Sequence, residues 1–290
     1  MNQEFPLLGV ISPNFLYRSM IGPALALGLD LRLLGTQLEQ IKEKKSGCDL
    51  VTVLGSAIPI STIRTLESAT TFFRPNSTAL AALLARFPNS ENDNDTDLQI
   101  EVLAARSPHS QACAWAPTEL IFRNGLHRLS VAPVAQLADA TAVSLQRIAL
   151  DAMQENEIVG VASFVFHKVG TDFIVKRAAT GPSSAGNWTT DASTTGQFEQ
   201  HLRAILDLPL GDPGISAKFV ATGNFVGAKE KNMYRPYLHL MARSPELKMH
   251  QYRDSDAIFA GHVTSSGNKL QNLTETIWHA LDYLDGEIDE

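Results

Sequence analysis

The spacing of apolar positions divides the chain into an alternating strand–helix front and a rear richer in antiparallel strands. LLGVIS (7–12) reads as a buried strand, LYRSMIGPALALG (16–28) as a helix with Pro23 as a kink or restart, and LDLRLLG (29–35) as a second strand. CDLVTVLG (48–55) supplies a third strand and ALAALLARF (79–87) another helix, which is the order of a Rossmann-type α/β layer. After a polar, acidic stretch, PNSENDNDTD (88–97), the segments 98–107 and 111–120 alternate like antiparallel strands. A helix is expected over 137–154, strands over 158–169 and 172–179, a helix over 196–206, and then a β-rich tail. The final helix repeats Leu270, Leu273, Ile277, Leu281 and Leu284 at three- to four-residue spacing.

Composition changes this picture little. Of 290 residues, 44% are hydrophobic and 19% charged, which suits one large or two small globular domains. The formal net charge of −7 argues against a nucleic-acid surface. Cys48 and Cys113 show no metal-ligand spacing and are expected to stay reduced. The start shows no signal-peptide pattern and the apolar runs are too short for a membrane span, so a soluble, cytoplasmic chain is expected.

The candidate chemistry is sparse. Asp93, Asp95 and Asp97 alternate as in a calcium loop, but Leu98 stands where that loop needs glycine and Ala104 where it needs a bidentate glutamate. The turn SPNFLYRSM lacks the glycines of a phosphate loop. His167, His201, His239, His250 and His262 form no HxxxH or HExxH pair, and no GxSxG occurs. Helix 196–206 buries Phe198, Leu202, Ile205 and Leu206 and turns Gln197, Glu199, Gln200 and Arg203 outward. Glu199 and Arg203 form an i,i+4 pair, and Thr194 and Gln197 have capping-box spacing. The small-residue loop before this helix is a place where anions bind, with Asn187 and Trp188 lining a cleft.

GNWTTDASTTGQFEQHLRAILDLPLGD (186–212) resembles the signature of N5-carboxyaminoimidazole ribonucleotide synthetases, the PurK family of the ATP-grasp superfamily. The similarity continues through YRSMIGPALALGLDLRLL (17–34), CDLVTVLGSAIP (48–59), RPNSTAL (74–80), the segment 101–134, and 232–252 with GHVTSSG (261–267). It implies a Rossmann-like pre-ATP-grasp domain (1–87), a linker (88–97) in place of the nucleotide-covering subdomain, a reduced α+β ATP-grasp core (98–212) and a small β-rich C-terminal subdomain (213–290). The family converts ATP, bicarbonate and aminoimidazole ribonucleotide in purine biosynthesis, with magnesium held by carboxylates, and is typically dimeric.

The departures fall on the charged positions. The family's strand carboxylate corresponds to Val165, its Asn-Glu pair to Lys176 and Arg177, an arginine and a histidine of the loop to Gly181 and Ser183, and a glutamate pair to Leu54 and Ser56. The segment Tyr252–Val263 lacks the family's basic cluster, whereas scaffold residues such as Trp188, Phe198, Leu202, Pro209 and Gly211 are kept. This implies a catalytically inactive homologue with a structural or partner-binding role, without catalytic residues, metal ligands or cofactor. The alternatives are an active carboxylating ligase with a rebuilt site, or a small-molecule sensor, for which the apolar Leu54, Phe15 and Val165 would suit a less polar ligand. A vestigial cleft is expected around Arg18, Glu119, Asn187, Gln197, Glu199 and Arg203. The expected partner is a second copy of the chain or another purine-pathway protein.

Overall fold

The computed structural model describes residues 6–12, 14–54, 58–67, 72–87, 98–227, 233–252 and 258–288. The stretch 88–97, with its calcium-like aspartates, lies outside them, as do Ser56 and residues 253–257.

The first layer alternates β1 (Leu7–Ile11), α1 (Asn14–Ala26), β2 (Asp30–Leu33), α2 (Leu38–Lys44), β3 (Leu50–Val53), α3 (Ile60–Glu67), β4 (Phe72–Arg74) and α4 (Ser77–Arg86). Its four strands are parallel in the order β2-β1-β3-β4. Strand periodicity splits β1 between two cores: Leu8 and Val10 face α1, Ile11 faces α2 and α3. Gly9 is required in between, because a Cβ there would lie 2.9 Å from Leu34 and 3.1 Å from Cys48 and Val51. The helix α1 runs through Pro23, whose carbonyl still accepts from Leu27 N at 3.1 Å. The short α2 and α3, absent from the sequence reading, each bury one or two residues, Ile41 in α2, Ile63 and Leu66 in α3.

The second layer is a nine-stranded sheet built from β5 (Gln99–Arg106), β6 (Ala112–Ala114), β7 (Thr118–Arg123), β8 (Leu126–Ala132), β9 (Gly160–Val169), β10 (Asp172–Thr180), β11 (Phe219–Phe225), β12 (Lys248–Gln251) and β13 (Gly261–Gly267). Its order is β10-β9-β5-β7-β8-β11-β13-β12, with β6 on β5, and its pairings are antiparallel. The single strand expected over 111–120 is two, β6 and β7, separated by a stretch that includes Pro117, which has no N–H to offer a ladder.

Two helices cover one face of this sheet. The first, α5 (Asp139–Glu155), lays Leu145, Ala149, Ala152 and Met153 on Ile100, Val102, Phe164 and Phe166. The second, α9 (Leu270–Leu284), lays Leu273, Ile277, Leu281 and Leu284 on Leu129, Val131, Ala221 and Val263. The tail also holds a helix, α8 (Tyr234–Arg243), which the β-rich reading did not contain. Pro236 sits in its first turn, where a missing N–H costs nothing. Among the described residues, no helix is long and apolar enough to cross a membrane.

The other face is covered by a 3-10 turn (Ala185–Trp188), α6 (Thr189–Ala192) and α7 (Gln197–Ile205). α7 also joins the two layers. Phe198, Leu202 and Ile205 share a core with Leu8, Val10, Met20 and Leu54 of the first layer. Beside them His201 is fully buried. Its Nδ1 accepts from Val161 N at 3.1 Å, so its Nε2 carries the proton given to Thr52 Oγ1 at 2.9 Å. Burial without a counter-charge lowers its pKa to about 3.

Candidate functional site

The face beneath the 3-10 turn and α7 carries most of the buried polar side chains. Strand β5 is buried along its whole length, yet contains a carboxylate, Glu101. Cross-strand register places Glu101 opposite Val165 of β9, and Val165 opposite Arg177 of β10. Lys176 lies at an irregularity in β10 between Val175 and Arg177. The Glu101 carboxylate accepts from Ser183 Oγ. Burial raises its pKa from 4.5 to about 7, against the opposing effects of that hydrogen bond and of the Arg177 charge.

Ser183 begins a connected hydrogen-bonded chain. Gln197 Oε1 accepts from Ser183 N and its Nε2 donates to Ser183 O, both at 2.9 Å. Gln197 Nε2 also lies 3.4 Å from Asn187 Oδ1. Asn187 Nδ2 donates to Tyr252 Oη at 2.8 Å, and Tyr252 Oη lies 2.7 Å from His262 Nδ1. The close approach depends on Gly186, where a Cβ would come within 2.2 Å of Leu103 and 2.6 Å of Gln197 Oε1.

These contacts correct the amphipathic reading of the helix. Gln197 and Gln200, expected on the outer face, are fully buried, because their amides satisfy loop backbone on the inner side. Thr194 and Gln197 form no capping box: Thr194 N donates to Gly214 O, and the first helical N–H, that of Gln197, is taken by Thr189 Oγ1 at 2.9 Å. Trp188 packs into the core among Leu103, Trp115 and Val220 and donates to Thr118 Oγ1 at 3.0 Å.

The six residues expected to form a cleft are thus dispersed. Only Asn187 and Gln197 meet within the buried network. Glu199 and Arg203 pair with each other on the partly exposed side of α7. Arg18 is exposed on α1. Glu119 pairs in register with Ile100, which faces α5, so its carboxylate is on the opposite side of the sheet from Asn187. There it borders a cavity of about 240 Å³ lined also by Leu98, Val134, Leu137 and Leu270. Glu101 was not singled out from the sequence, and Ser183 and Tyr252 figured there only where the chain departs from the family pattern, not as site residues. The available signal was Glu101, a carboxylate between the apolar Ile100 and Val102 of its strand.

A pH dependence follows from Glu101. The folded protein holds the proton up to about pH 7, whereas the unfolded chain releases it near 4.5. The native state therefore binds more protons across that window, and stability falls as pH rises through it, by about 3 kcal/mol in total. Urea unfolding at pH 5 and pH 8 should show this loss in the wild type and not in Glu101→Gln. Parallel pH curves for the two proteins would contradict it.

Comparison with known proteins places these features in context. The family model of the ATP-grasp domain matches residues 91–198. The N5-carboxyaminoimidazole ribonucleotide synthase of Mycobacterium tuberculosis H37Rv is 34% identical over 196 residues, covering 66% of this chain and 46% of that protein. That of Mycobacterium leprae is 38% identical over 202 residues, covering 64% and 46%. The chain thus spans about half the length of the curated relatives it matches. The crystal structure of the Thermus thermophilus synthetase superposes with a TM-score of 0.82 at 20% identity, covering 98% of this chain and 99% of that one. That of the Aspergillus clavatus enzyme in complex with ADP and 5-aminoimidazole ribonucleotide gives 0.82 at 15% identity, covering 97% and 99%.

Proposed function

We propose that the chain is a member of the N5-carboxyaminoimidazole ribonucleotide synthase family of ATP-grasp proteins and that it keeps the scaffold of that family without its magnesium–ATP chemistry, in a structural or partner-binding role. The observation that carries this reading is the row Glu101–Val165–Arg177 across β5, β9 and β10. The family resemblance expects a carboxylate at Val165 and an asparagine–glutamate pair at Lys176 and Arg177. Val165 instead is buried in an apolar cluster with Leu120, Ala185 and Phe122.

Magnesium takes oxygen ligands in near-octahedral geometry and is held by carboxylates and phosphates. A valine methyl offers no lone pair, and a guanidinium repels a dication. The one carboxylate in the row, Glu101, is tied to Ser183 and driven towards its neutral form by burial. These residues do not fit a magnesium ion. ATP-dependent carboxylation depends on neutralising the charge of the transferred phosphoryl group, so the same replacements remove the main electrostatic contribution to catalysis.

Two measurements on one preparation test the reading. Calorimetry is expected to show no saturable binding of magnesium–ATP at micromolar concentration. A phosphate-release assay with aminoimidazole ribonucleotide and bicarbonate is expected to stay at the no-enzyme rate. Turnover at the rate of an ordinary synthetase would overturn the proposal in favour of an active ligase with a rebuilt site.

A further inference from the structure

We propose that Asp191, His250 and His262 form a binding site for a divalent transition-metal ion of the zinc class. The three come from distant parts of the chain. Asp191 lies in α6, whereas His250 on β12 and His262 on β13 are register partners. Register partners project from the same face, and the two imidazoles stack with centroids 4.4 Å apart and planes 14° from parallel. His250 Nε2 lies 2.9 Å from Asp191 Oδ2. One donor atom from each of the three lies within 4.8 Å of the others, and no other group of three such donors occurs among the described residues.

A second, independent observation points to a ligand. His262 is 4% exposed, and its Nε2 has no hydrogen-bond partner among the described residues. Buried imidazole nitrogens are almost always paired, because an unpaired one loses its hydration with nothing in exchange. The other nitrogen, Nδ1, is held by Tyr252 Oη at 2.7 Å, and Tyr252 is in turn held by Asn187 at 2.8 Å. That geometry matches the outer-shell arrangement by which metal-binding histidines are oriented: in the tautomer whose Nδ1–H donates to the phenol oxygen, the lone pair on Nε2 is left for a cation. An ion pair between His250 and Asp191 accounts for two of the three groups and leaves His262 Nε2 unexplained.

The donor set decides the class of ion. Two imidazole nitrogens and one carboxylate oxygen suit zinc, cobalt or nickel, whereas magnesium and calcium require mainly oxygen. The His250 side chain is 35% exposed and that of Asp191 14%, so the site opens to solvent on their side. Spacing rules miss it because the ligands share no local motif. The inference is independent of whether the chain turns over ATP.

The test uses the full chain without a histidine tag, stripped with chelator and titrated with zinc chloride by calorimetry. One equivalent should bind below micromolar dissociation constant, and cobalt in its place should give the visible absorption of a low-coordinate site. Asp191→Asn and His250→Gln, both at partly exposed positions, should each weaken binding more than tenfold while leaving the melting temperature of the metal-free protein unchanged. His239→Gln should leave binding unaltered; it controls for the other close histidine pair, His239 and His279, whose Nε2 atoms lie 3.4 Å apart. Zinc binding that survives both Asp191→Asn and His250→Gln, that vanishes only in His239→Gln, or that is absent from the wild type would overturn the proposal.

Discussion

Leu202→Ala is expected to lower the stability of the protein by about 2–5 kcal/mol, the range for removing a fully buried leucine from a close-packed core. Leu202 is 0% exposed. Its cluster contains Phe198 and Ile205 of its own helix, Leu8, Val10 and Leu54 of the parallel layer, and Met20 and Ala24 of α1. The side chain therefore belongs to the joint between the two sheets as well as to one core. No neighbour can collapse into the void without moving one layer against the other, which places the cost towards the upper end of the range. Urea unfolding measures it directly. A loss below about 1 kcal/mol would mean that α7 does not carry the contact between the layers.

The hydrophobic face of α7 was legible because its spacing is strong and its burial is simple. Phe198, Leu202 and Ile205 are inside, as the 3.6-residue period requires. Three strands of the parallel layer were legible: β1 and β3 are near-continuous apolar runs, as expected for strands covered on both faces, and β2 alternates Leu31 and Leu33 with Asp30 and Arg32, whereas the three-residue β4 was too short to read. What the pattern could not reveal was polar burial. Gln197, Gln200 and His201 are hydrophilic on any scale, so the period assigns them or leaves them to solvent. They are inside because each finds specific partners far away in the sequence: Ser183 and Asn187 for Gln197, Gly211 for Gln200, Thr52 and Val161 for His201. The same holds for the site. Glu119 and Glu101 are both carboxylates in antiparallel strands, and only register shows that they lie on opposite faces. His250 and His262 become neighbours through a strand pairing that leaves no mark in local spacing.

The second large effect is expected at the other end of the fold. Asp285→Asn should cost about 3–5 kcal/mol, the range for breaking a buried ion pair from one side. Arg128 on β8 has a side chain 5% exposed, and that of Asp285 is 10% exposed. The guanidinium donates through Nε to Asn224 O at 2.9 Å and through Nη2 to Asp285 Oδ2. Asp285 Oδ1 accepts from Val226 N at 2.9 Å and lies 3.4 Å from Gly227 N. The carboxylate thus ties the end of α9 to β8 and to the end of β11. Its position just past the C-terminus of α9 is unfavourable for an anion in the helix-dipole field. Keeping a carboxylate there is understandable only if pairing with Arg128 outweighs that penalty. Asparagine preserves the shape and an acceptor for Val226 N but removes the charge, leaving a guanidinium in a low-dielectric environment with no counter-ion. The decisive comparison is a double-mutant cycle. Arg128→Met combined with Asp285→Asn should recover more than half of the loss, because an apolar side chain has no charge to leave unpaired. Additive losses in the double variant, or a single-variant loss below about 1 kcal/mol, would show that the pair contributes shape rather than charge to the closure of α9 over the sheet.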